Sequence, residues 1–183
     1  MSAMPRGASV LVMVCLSLAA VACSPSSPSS RSARPGSELV AEQTPAKIVA
    51  GEGWGPVRRG VGQSQVGAAL GAPDNVTEYD DCVFHDYLSR GIQINYFKAN
   101  MHVDAIFFYN NQSDMPDFDT FDGETDKGIT WSSTEDDVLA AYGNPVNDYK
   151  NSDNGIEARR MAYSAISFRF QDARLVCIAV GAD

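Results

Sequence analysis

An internal repeat gives the strongest indication of how this 183-residue chain folds. Gly60–Pro73 (GVGQSQVGAALGAP) matches Ser132–Pro145 (SSTEDDVLAAYGNP), and in both segments the apolar residues recur at helical spacing. A Gly and then a Pro follow the last apolar position, where the Gly can take a left-handed conformation and the Pro cannot continue the helix. The sequence therefore predicts two short helices, and Ser132 with Glu135 has capping-box spacing at the start of the second.

Matching sets of strands follow the two predicted helices. In each set, alternating apolar and polar side chains bounded by turn residues are typical of an antiparallel meander. The predicted strands are 83–88, 91–96 and 103–107 in the first copy and 159–164, 165–170 and 175–179 in the second. Because such short helices are stable only when packed on a larger surface, we predict an α+β fold of two tandem units. Each unit is a short helix packed on a three- to four-stranded antiparallel sheet.

An acidic segment separates the two copies. Asp114–Asp126 (DMPDFDTFDGETD) has the Asp-x-Asp-x-x-Asp-Gly order of a calcium loop, with one residue too many for the usual spacing. A solvated linker and a calcium-binding loop are both compatible with this composition. The predicted folded regions are residues 54–112 for the first repeat and 128–183 for the second, with the acidic linker at 113–127.

The first residues have the organisation of an export signal. Val10–Ala22 is an uncharged apolar run that follows Arg6, and it is shorter than the roughly 20 residues of a bilayer-spanning helix. Its length suits a secretory signal, and Ala20-Val21-Ala22 supplies a cleavage pattern of small residues. Residues 1–22 are therefore predicted to be a signal peptide, and the mature protein is predicted to be exported.

Cys23 is the predicted site of lipid attachment. Ala20–Cys23 is similar to the bacterial lipobox, with Ala in place of the usual Leu, and in that motif the cysteine is diacylated. Residues 24–37 are rich in Ser and Pro, which is typical of a flexible tether, so residues 23–53 are predicted to be a lipidated cysteine and its tether. Ser24, rather than Asp, after the cysteine favours the outer membrane of the bacterial envelope, facing the periplasm. A soluble secreted protein is the alternative, because both kinds of signal peptidase would cut the same bond.

Two cysteines remain in the predicted folded part, Cys82 in the first repeat and Cys177 in the second. An exported protein reaches an oxidising compartment, where a disulfide between them would tie the two repeats together. The alternative is a pair of buried free thiols, since sequence separation does not show whether the two Cβ atoms meet. The prediction is a disulfide between Cys82 and Cys177.

The composition argues against catalytic, metal-dependent and nucleic-acid-binding functions. His85 and His102 are the only histidines, and neither lies in a pattern typical of a general base with its orienting partner. Cys82 and His85 are three residues apart on a predicted strand, so they face opposite sides of the sheet and do not bind one metal together. A net charge of −9 opposes binding to phosphate backbones. No catalytic residue, metal or cofactor is predicted.

Apolar residues on the outer side of the predicted sheets are the expected partner-binding positions. His102 and Asp104 are expected to mark the outer side of their strand, so alternation places Ile106 and Phe108 on the outer side and Phe107 on the inner side. A sheet that is apolar on its outer side is either kept for a partner or packed against the other copy. The predicted partner-binding residues are Phe97, Ile106, Phe108 and Ile178.

The order of these elements also resembles a known superfamily. A helix that ends V-x-x-x-[LY]-G-x-P, at Val66–Pro73 and again at Val138–Pro145, is followed by a meander containing the strand Gly91–Ile94 (GIQI). This pattern resembles the superfamily of small outer-membrane lipoproteins, including the lipoprotein of the barrel-assembly machinery, and the β-lactamase-inhibitor proteins. The resemblance implies a non-catalytic binding module at the cell envelope.

The predicted function is therefore that of a cell-envelope lipoprotein that acts as a non-catalytic protein-binding module. Such a module would be an assembly scaffold or an inhibitor of a secreted enzyme, and its partner would be an envelope or secreted protein. The membrane would be contacted through the lipid anchor, and no nucleic acid is expected as a partner. A calcium-dependent or hydrolytic periplasmic enzyme is the alternative.

Overall fold

The computed structural model describes residues 46–115, 117–153 and 156–181. The predicted signal peptide and the predicted lipid attachment at Cys23 lie outside these residues. Residues 46–53, which were predicted to lie in the tether, belong to the folded part, because Ile48 is fully buried in the core. In the part of the chain that is described, no helix is both long and apolar enough to cross a membrane.

Strands dominate the secondary structure of the described residues, in which two α-helices have eight residues each. The elements are β1 (Ile48–Val49), β2 (Gly53–Trp54), β3 (Val57–Arg58), α1 (Gln63–Leu70), β4 (Asn75–Glu78), β5 (Cys82–Tyr87), β6 (Ile92–Phe97), β7 (His102–Tyr109), α2 (Glu135–Tyr142), β8 (Asn147–Asp153), β9 (Ile156–Ala162), β10 (Ile166–Gln171) and β11 (Arg174–Val180). The positions of both helices and of six strands agree with the repeats seen in the sequence. The short strands β1–β4 and the strand β8 were not predicted.

The large strands form one antiparallel sheet of eight, in the order β4-β5-β6-β7-β11-β10-β9-β8. Strands β7 and β11 pair at its centre, with Phe108 opposite Ile178. The prediction of two tandem α+β units is therefore wrong: the fold is mostly β, and the strands of both repeats belong to a single sheet. Joining β7 to β11 satisfies backbone groups that two separate sheets would each have left at an unpaired edge.

One face of the large sheet, which we call the covered face, carries both helices and the main core. Val66 and Leu70 of α1 and Val138 of α2 are buried against it. The small sheet β1–β3 contributes Ile48 and Val57 to the same core. The buried sheet residues of this core are Tyr87, Ile92, Ile94, Tyr96, Val103, Ile106, Phe108, Met161, Ile166, Phe168, Phe170, Leu175, Ile178 and Val180.

The two helices end alike but begin differently. Both end at a glycine with positive φ, Gly71 at 88° and Gly143 at 77°, but ψ is −163° and −155°, so neither glycine takes the left-handed cap that the repeated Gly-x-Pro pattern predicts. Helix α2 begins with a capping box in which the Thr134 hydroxyl accepts from the Asp137 N–H at 3.2 Å and the Asp137 carboxylate accepts from the Thr134 N–H at 2.7 Å. This box lies two residues beyond the predicted one. The N-cap residue of helix α1 is Gly62, which has no side chain with which to cap.

A bulge in β7 decides which residues of that strand face the core. Asn95 of β6 pairs with Ala105 and Tyr96 pairs with Val103, so Asp104 has no partner in the register. An unpaired residue of this kind reverses the alternation of side chains on its strand. Val103 and Ile106 consequently both face the core, although they are an odd number of residues apart.

The segment predicted as a solvated acidic linker passes from one face of the sheet to the other. Phe118 packs on Tyr109 with ring centroids 4.7 Å apart, and Phe121 packs on Phe108 of the covered face at 4.6 Å. Both phenylalanines are buried. Gly91 makes this route possible, because a Cβ there would overlap the backbone of the passing segment at Phe121. The segment is therefore part of the folded structure.

Candidate functional site

The second face of the large sheet carries neither helix, and we call it the helix-free face. Residues that are directly opposite in an antiparallel sheet point to the same side. One such row crosses five strands, from β7 through β11, β10 and β9 to β8. The residues of this row are Tyr109, Cys177, Arg169, Arg160 and Tyr149.

Five rings form a continuous aromatic row on the helix-free face: Tyr79, Phe84, Phe107, Tyr109 and Phe118. Consecutive ring centroids are 5.6, 6.4, 6.5 and 4.7 Å apart, within the range in which aromatic pairs attract each other. Tyr79 is 56% exposed, Phe84 and Phe107 are half-buried, and Tyr109 and Phe118 are buried. The row is thus anchored at one end and open to solvent along the rest.

Hydrogen bonds hold the anchored end of the aromatic row. The Tyr109 hydroxyl donates to Gln93 Oε1 at 3.1 Å, and Gln93 Nε2 donates to Asp86 Oδ1 at 2.8 Å. Burial raises the pKa of Tyr109, so this hydroxyl keeps its proton at neutral pH and remains a donor. The ring is therefore held in a fixed position.

Two arginines lie side by side next to the aromatic row. Arg160 of β9 is directly opposite Arg169 of β10, and we call these two residues the arginine pair. Arg169 donates to both oxygens of Asp114, with Nη1–Oδ2 at 2.8 Å and Nη2–Oδ1 at 2.5 Å. This two-point geometry is the one in which guanidinium binds carboxylate best. It shows that Arg169 is oriented to hold a carboxylate.

Two grooves on the helix-free face meet at the arginine pair. The first has a volume of about 390 Å³ and the second about 630 Å³. Asp114, Arg160 and Arg169 line both. The other residues that line the first groove are Phe107, Tyr109, Met115, Ser167, Cys177 and Ala179. Those of the second are Tyr149, Lys150, Asn151, Ile156, Ala158, Arg159 and Gln171.

The structure separates the four residues predicted to bind a partner. Ile106, Phe108 and Ile178 are fully buried on the covered face, and Phe97 is 50% exposed at the end of β6. The prediction of one exposed apolar face made of these four residues is wrong, because the bulge in β7 turns Ile106 and Phe108 toward the helices. The residue on β7 that faces outward between them is Phe107.

The two cysteines of the folded part are free thiols, so the predicted disulfide is wrong. Cys82 lies on β5 and Cys177 on β11, with β6 and β7 between them. Three strand spacings amount to about 14 Å, whereas the two Cα atoms of a disulfide are about 4.4–6.8 Å apart. Burial raises the pKa of the Cys177 thiol to about 12, which keeps it protonated and unreactive at neutral pH.

The two histidines lie in different surroundings. His85 is buried beneath α1, where its Nε2 is 3.4 Å from Gln63 Nε2, and burial lowers its pKa against an opposing effect of Asp86. His102 is exposed at the start of β7. Among residues 46–115, 117–153 and 156–181, no three His, Cys, Asp or Glu side chains are grouped so that they could hold a metal ion. This finding includes the described acidic residues of the predicted calcium loop.

Comparison with known proteins gives similarity at the level of structure. No protein-family model matches the chain, and no curated protein matches it. A DUF4309 family protein, YjgB, from Bacillus subtilis is similar over 73% of this chain and 88% of its own, with 12% identity and a TM-score of 0.46. This similarity does not bear on the resemblance to outer-membrane lipoproteins and β-lactamase inhibitors, so that resemblance stays a prediction.

Two further structures are similar to this chain. An extracellular protein containing a SCP domain from Bacillus anthracis matches 66% of this chain with 12% identity and a TM-score of 0.41. A cysteine-rich secretory protein from Staphylococcus aureus matches 74% with 8% identity and a TM-score of 0.39. This chain spans 43% and 50% of the length of these two proteins, respectively.

Proposed function

We propose that this protein is an exported, non-catalytic binding module that holds another protein on its helix-free face. The observation that carries the proposal is the aromatic row, whose middle members Phe84 and Phe107 are half-buried on a face that carries neither α1 nor α2. A sheet face of this kind is expected to be polar unless it is kept for a partner.

The energetics of protein interfaces support this use of the aromatic row. Binding energy is concentrated in a few aromatic and arginine anchors, and truncating one of them typically costs about 2 kcal/mol or more. Phe84 and Phe107 are supported by neighbouring rings on both sides, so they lose little conformational freedom on binding. The adjoining grooves provide the concave surface into which partner side chains can fit.

Export of the protein and attachment of acyl chains to Cys23 determine in which compartment the partner is found. A diacylated Cys23 would hold the protein on a membrane of the bacterial envelope, with the outer membrane favoured, and a protein without acyl chains would be secreted. In both cases the partner is an envelope or secreted protein. Cys23→Ser should release the protein from the membrane fraction, and a wild-type mature mass without acyl chains would overturn the lipid anchor.

The test is capture by the full chain from envelope and secreted extracts of the bacterium that produces it. The wild type is compared with the double variant Phe84→Ala and Phe107→Ala. The matched control is Val76→Ala with Val146→Ala, because these valines are 54% and 71% exposed and lie outside the aromatic row. Circular dichroism melting checks that every variant is folded.

The proposal expects one protein species to be retained by the wild type and the valine control and lost from the phenylalanine variant. The dissociation constant, measured with that protein after purification, should rise at least about 30-fold in the phenylalanine variant. Equal retention by all three chains, or no retained protein, would overturn the proposal.

A further inference from the structure

Strand β4 lies at one edge of the large sheet, beside the open end of the aromatic row. Thr77 of β4 is directly opposite Phe84 of β5, so both side chains point to the helix-free face. Tyr79, the exposed end of the aromatic row, follows β4 directly. The aromatic row therefore reaches an edge of the sheet where β5 is the one described strand that pairs with β4.

The backbone of β4 has hydrogen-bonding groups that face away from β5. Opposite residues of an antiparallel pair alternate between bonding each other and directing their N–H and C=O groups outward. The Tyr79 N–H donates to the Cys82 carbonyl at 2.9 Å, so Tyr79 and, two residues before it, Thr77 bond to β5. Val76 and Glu78 alternate with them and therefore direct their backbone groups toward the open edge. Both residues are exposed, and within the described part of the chain no other element bonds to these groups.

The turn that follows β4 adds negative charge beside this edge. Asp80 and Asp81 are exposed, and neither forms an ion pair with a residue that the structure describes. Lys98 pairs with Glu78 instead, at 3.0 Å, and leaves the two aspartates uncompensated. The ring of Tyr79 is 56% exposed next to them, and the face of an aromatic ring attracts a cation. This end of the aromatic row is therefore suited to a Lys or Arg side chain.

We infer that the partner adds an extended strand to β4 and carries basic residues beside the aromatic row. The inference rests on the proposed function, because it gives the binding mode and the partner chemistry for the same face. Backbone hydrogen bonds of the added strand would supply affinity, and its alternate side chains would supply specificity. Those on one side would lie next to Thr77 and Phe84, and basic residues at its end would lie near Asp80 and Asp81. The Val76→Ala change of the valine control keeps the backbone groups, so that control remains valid.

The charges of the molecule favour a basic partner segment at β4 over the other possible arrangements. A second copy of this chain would bring a further net charge of −9, which opposes self-association at the acidic edge. The opposite edge of the sheet is β8, which is separated from the aromatic row and carries the exposed Lys150. A lysine on an edge strand opposes the addition of a further strand.

The experiment titrates the full chain with a synthetic peptide that has an apolar centre of valine and phenylalanine and two lysines at each end. One reference peptide has glutamate in place of every lysine. The other is N-methylated at its central amides, so it keeps every side chain but loses backbone donors. The protein variant is Asp80→Asn with Asp81→Asn. Its matched control is Asp122→Asn with Asp136→Asn, because these aspartates are exposed and lie outside β4 and the aromatic row.

We expect calorimetry to show that the lysine peptide binds at least about tenfold more tightly than either reference peptide. In the complex, amide exchange measured by NMR should slow at least about tenfold at Val76 and Glu78, because their N–H groups gain acceptors. Exchange at Lys150, the counterpart of Glu78 on β8, should not change. The variant at Asp80 and Asp81 should lose most of the preference for lysine over glutamate, and its matched control should keep it.

Four results would overturn the inference: equal binding of the lysine and glutamate peptides, equal binding of the N-methylated peptide, unchanged exchange at Val76 and Glu78, and no binding at millimolar peptide. Slower exchange at these amides in the protein alone, as its concentration is raised, would identify a second copy as the occupant and would also overturn it. A captured partner that needs Phe84 and Phe107 but leaves the two amides unchanged would uphold the proposed function and remove only strand addition. Slowed amides without any dependence on the two phenylalanines would instead remove the aromatic row as the binding surface. Melting curves check that each variant is folded.

Discussion

The two faces of the large sheet are built from the same strands but differ in how completely their side chains are buried. The covered face buries apolar side chains completely beneath α1, α2 and the small sheet. The helix-free face has only a small buried cluster around Tyr109, Phe118 and Cys177, and it leaves Phe84 and Phe107 half-buried. Stability therefore depends mainly on the covered face, and the side chains of the helix-free face are less constrained by packing.

Adjacent residues on β7 test this division most directly. Phe108 is fully buried between Ile92 of β6 and Ile178 of β11, whereas Phe107 points to the opposite face. Phe108→Ala should lower the free energy of unfolding by about 3–5 kcal/mol, because it removes a buried ring and leaves a cavity. Phe107→Ala should cost much less, since its ring already contacts water. Urea unfolding of both variants measures the difference, and equal losses would show that the two faces contribute alike.

The sequence predicts where most helices and strands of the covered face lie, but it does not predict how the strands pair. The repeated Gly-x-Pro segments and the alternating strands mark where α1, α2 and most strands lie. The pairing of β7 with β11 could not be predicted, because periodicity shows which segments are strands and does not show which edges meet. Short elements such as β1, with two residues, carry too little periodicity to be recognised.

The candidate site was missed because of one unpaired residue. Alternation divides the side chains of β7 into two sets, and His102 with Asp104 was expected to mark the polar side. The bulge at Asp104 reverses this assignment, so Phe107 is on the helix-free face and Phe108 in the core. The arginine pair was also beyond reach, since the register of β9 against β10 places Arg160 opposite Arg169 only in the folded sheet.

The next largest effect is expected where the chain passes between the two faces. Gly91 has φ of 65°, and a Cβ there would overlap the backbone of Asp119 and Phe121. Gly91→Ala should lower the free energy of unfolding by more than about 1 kcal/mol, through strain and displacement of the passing segment. The matched control is Gly67→Ala in α1, where nothing lies within 4 Å of the added Cβ. That change should stabilise the protein by about 0.5–1 kcal/mol, and destabilisation of the same size in both variants would contradict the account.

A smaller, pH-dependent effect is expected from the imidazole buried on the covered face. Burial lowers the pKa of His85 below its unfolded value of 6.5, so the unfolded chain binds the proton more readily. Its contribution to stability is complete above pH 6.5 and is lost as the pH falls toward the folded pKa. Urea unfolding at several pH values between 7.5 and 5 should show this loss in the wild type and in His102→Gln, and a shallower one in His85→Gln. The same slope in all three chains would show that His85 is not its source.

The smallest effect on stability is expected at the ion pair of the helix-free face. Asp114→Asn removes the carboxylate from Arg169, but the Asp114 side chain is 52% exposed, so the free energy of unfolding should change by less than about 1 kcal/mol. The matched change on the covered side of the sheet is Asp148→Asn, which removes one partner of Arg159. Arg159 is only 15% exposed and also binds Glu135, so a less solvated charge is disturbed and the loss should be larger. Urea unfolding at pH 7 compares the two variants. A larger loss in Asp114→Asn would mean that the helix-free face depends on its ion pair for stability more than the buried pair of the covered side does.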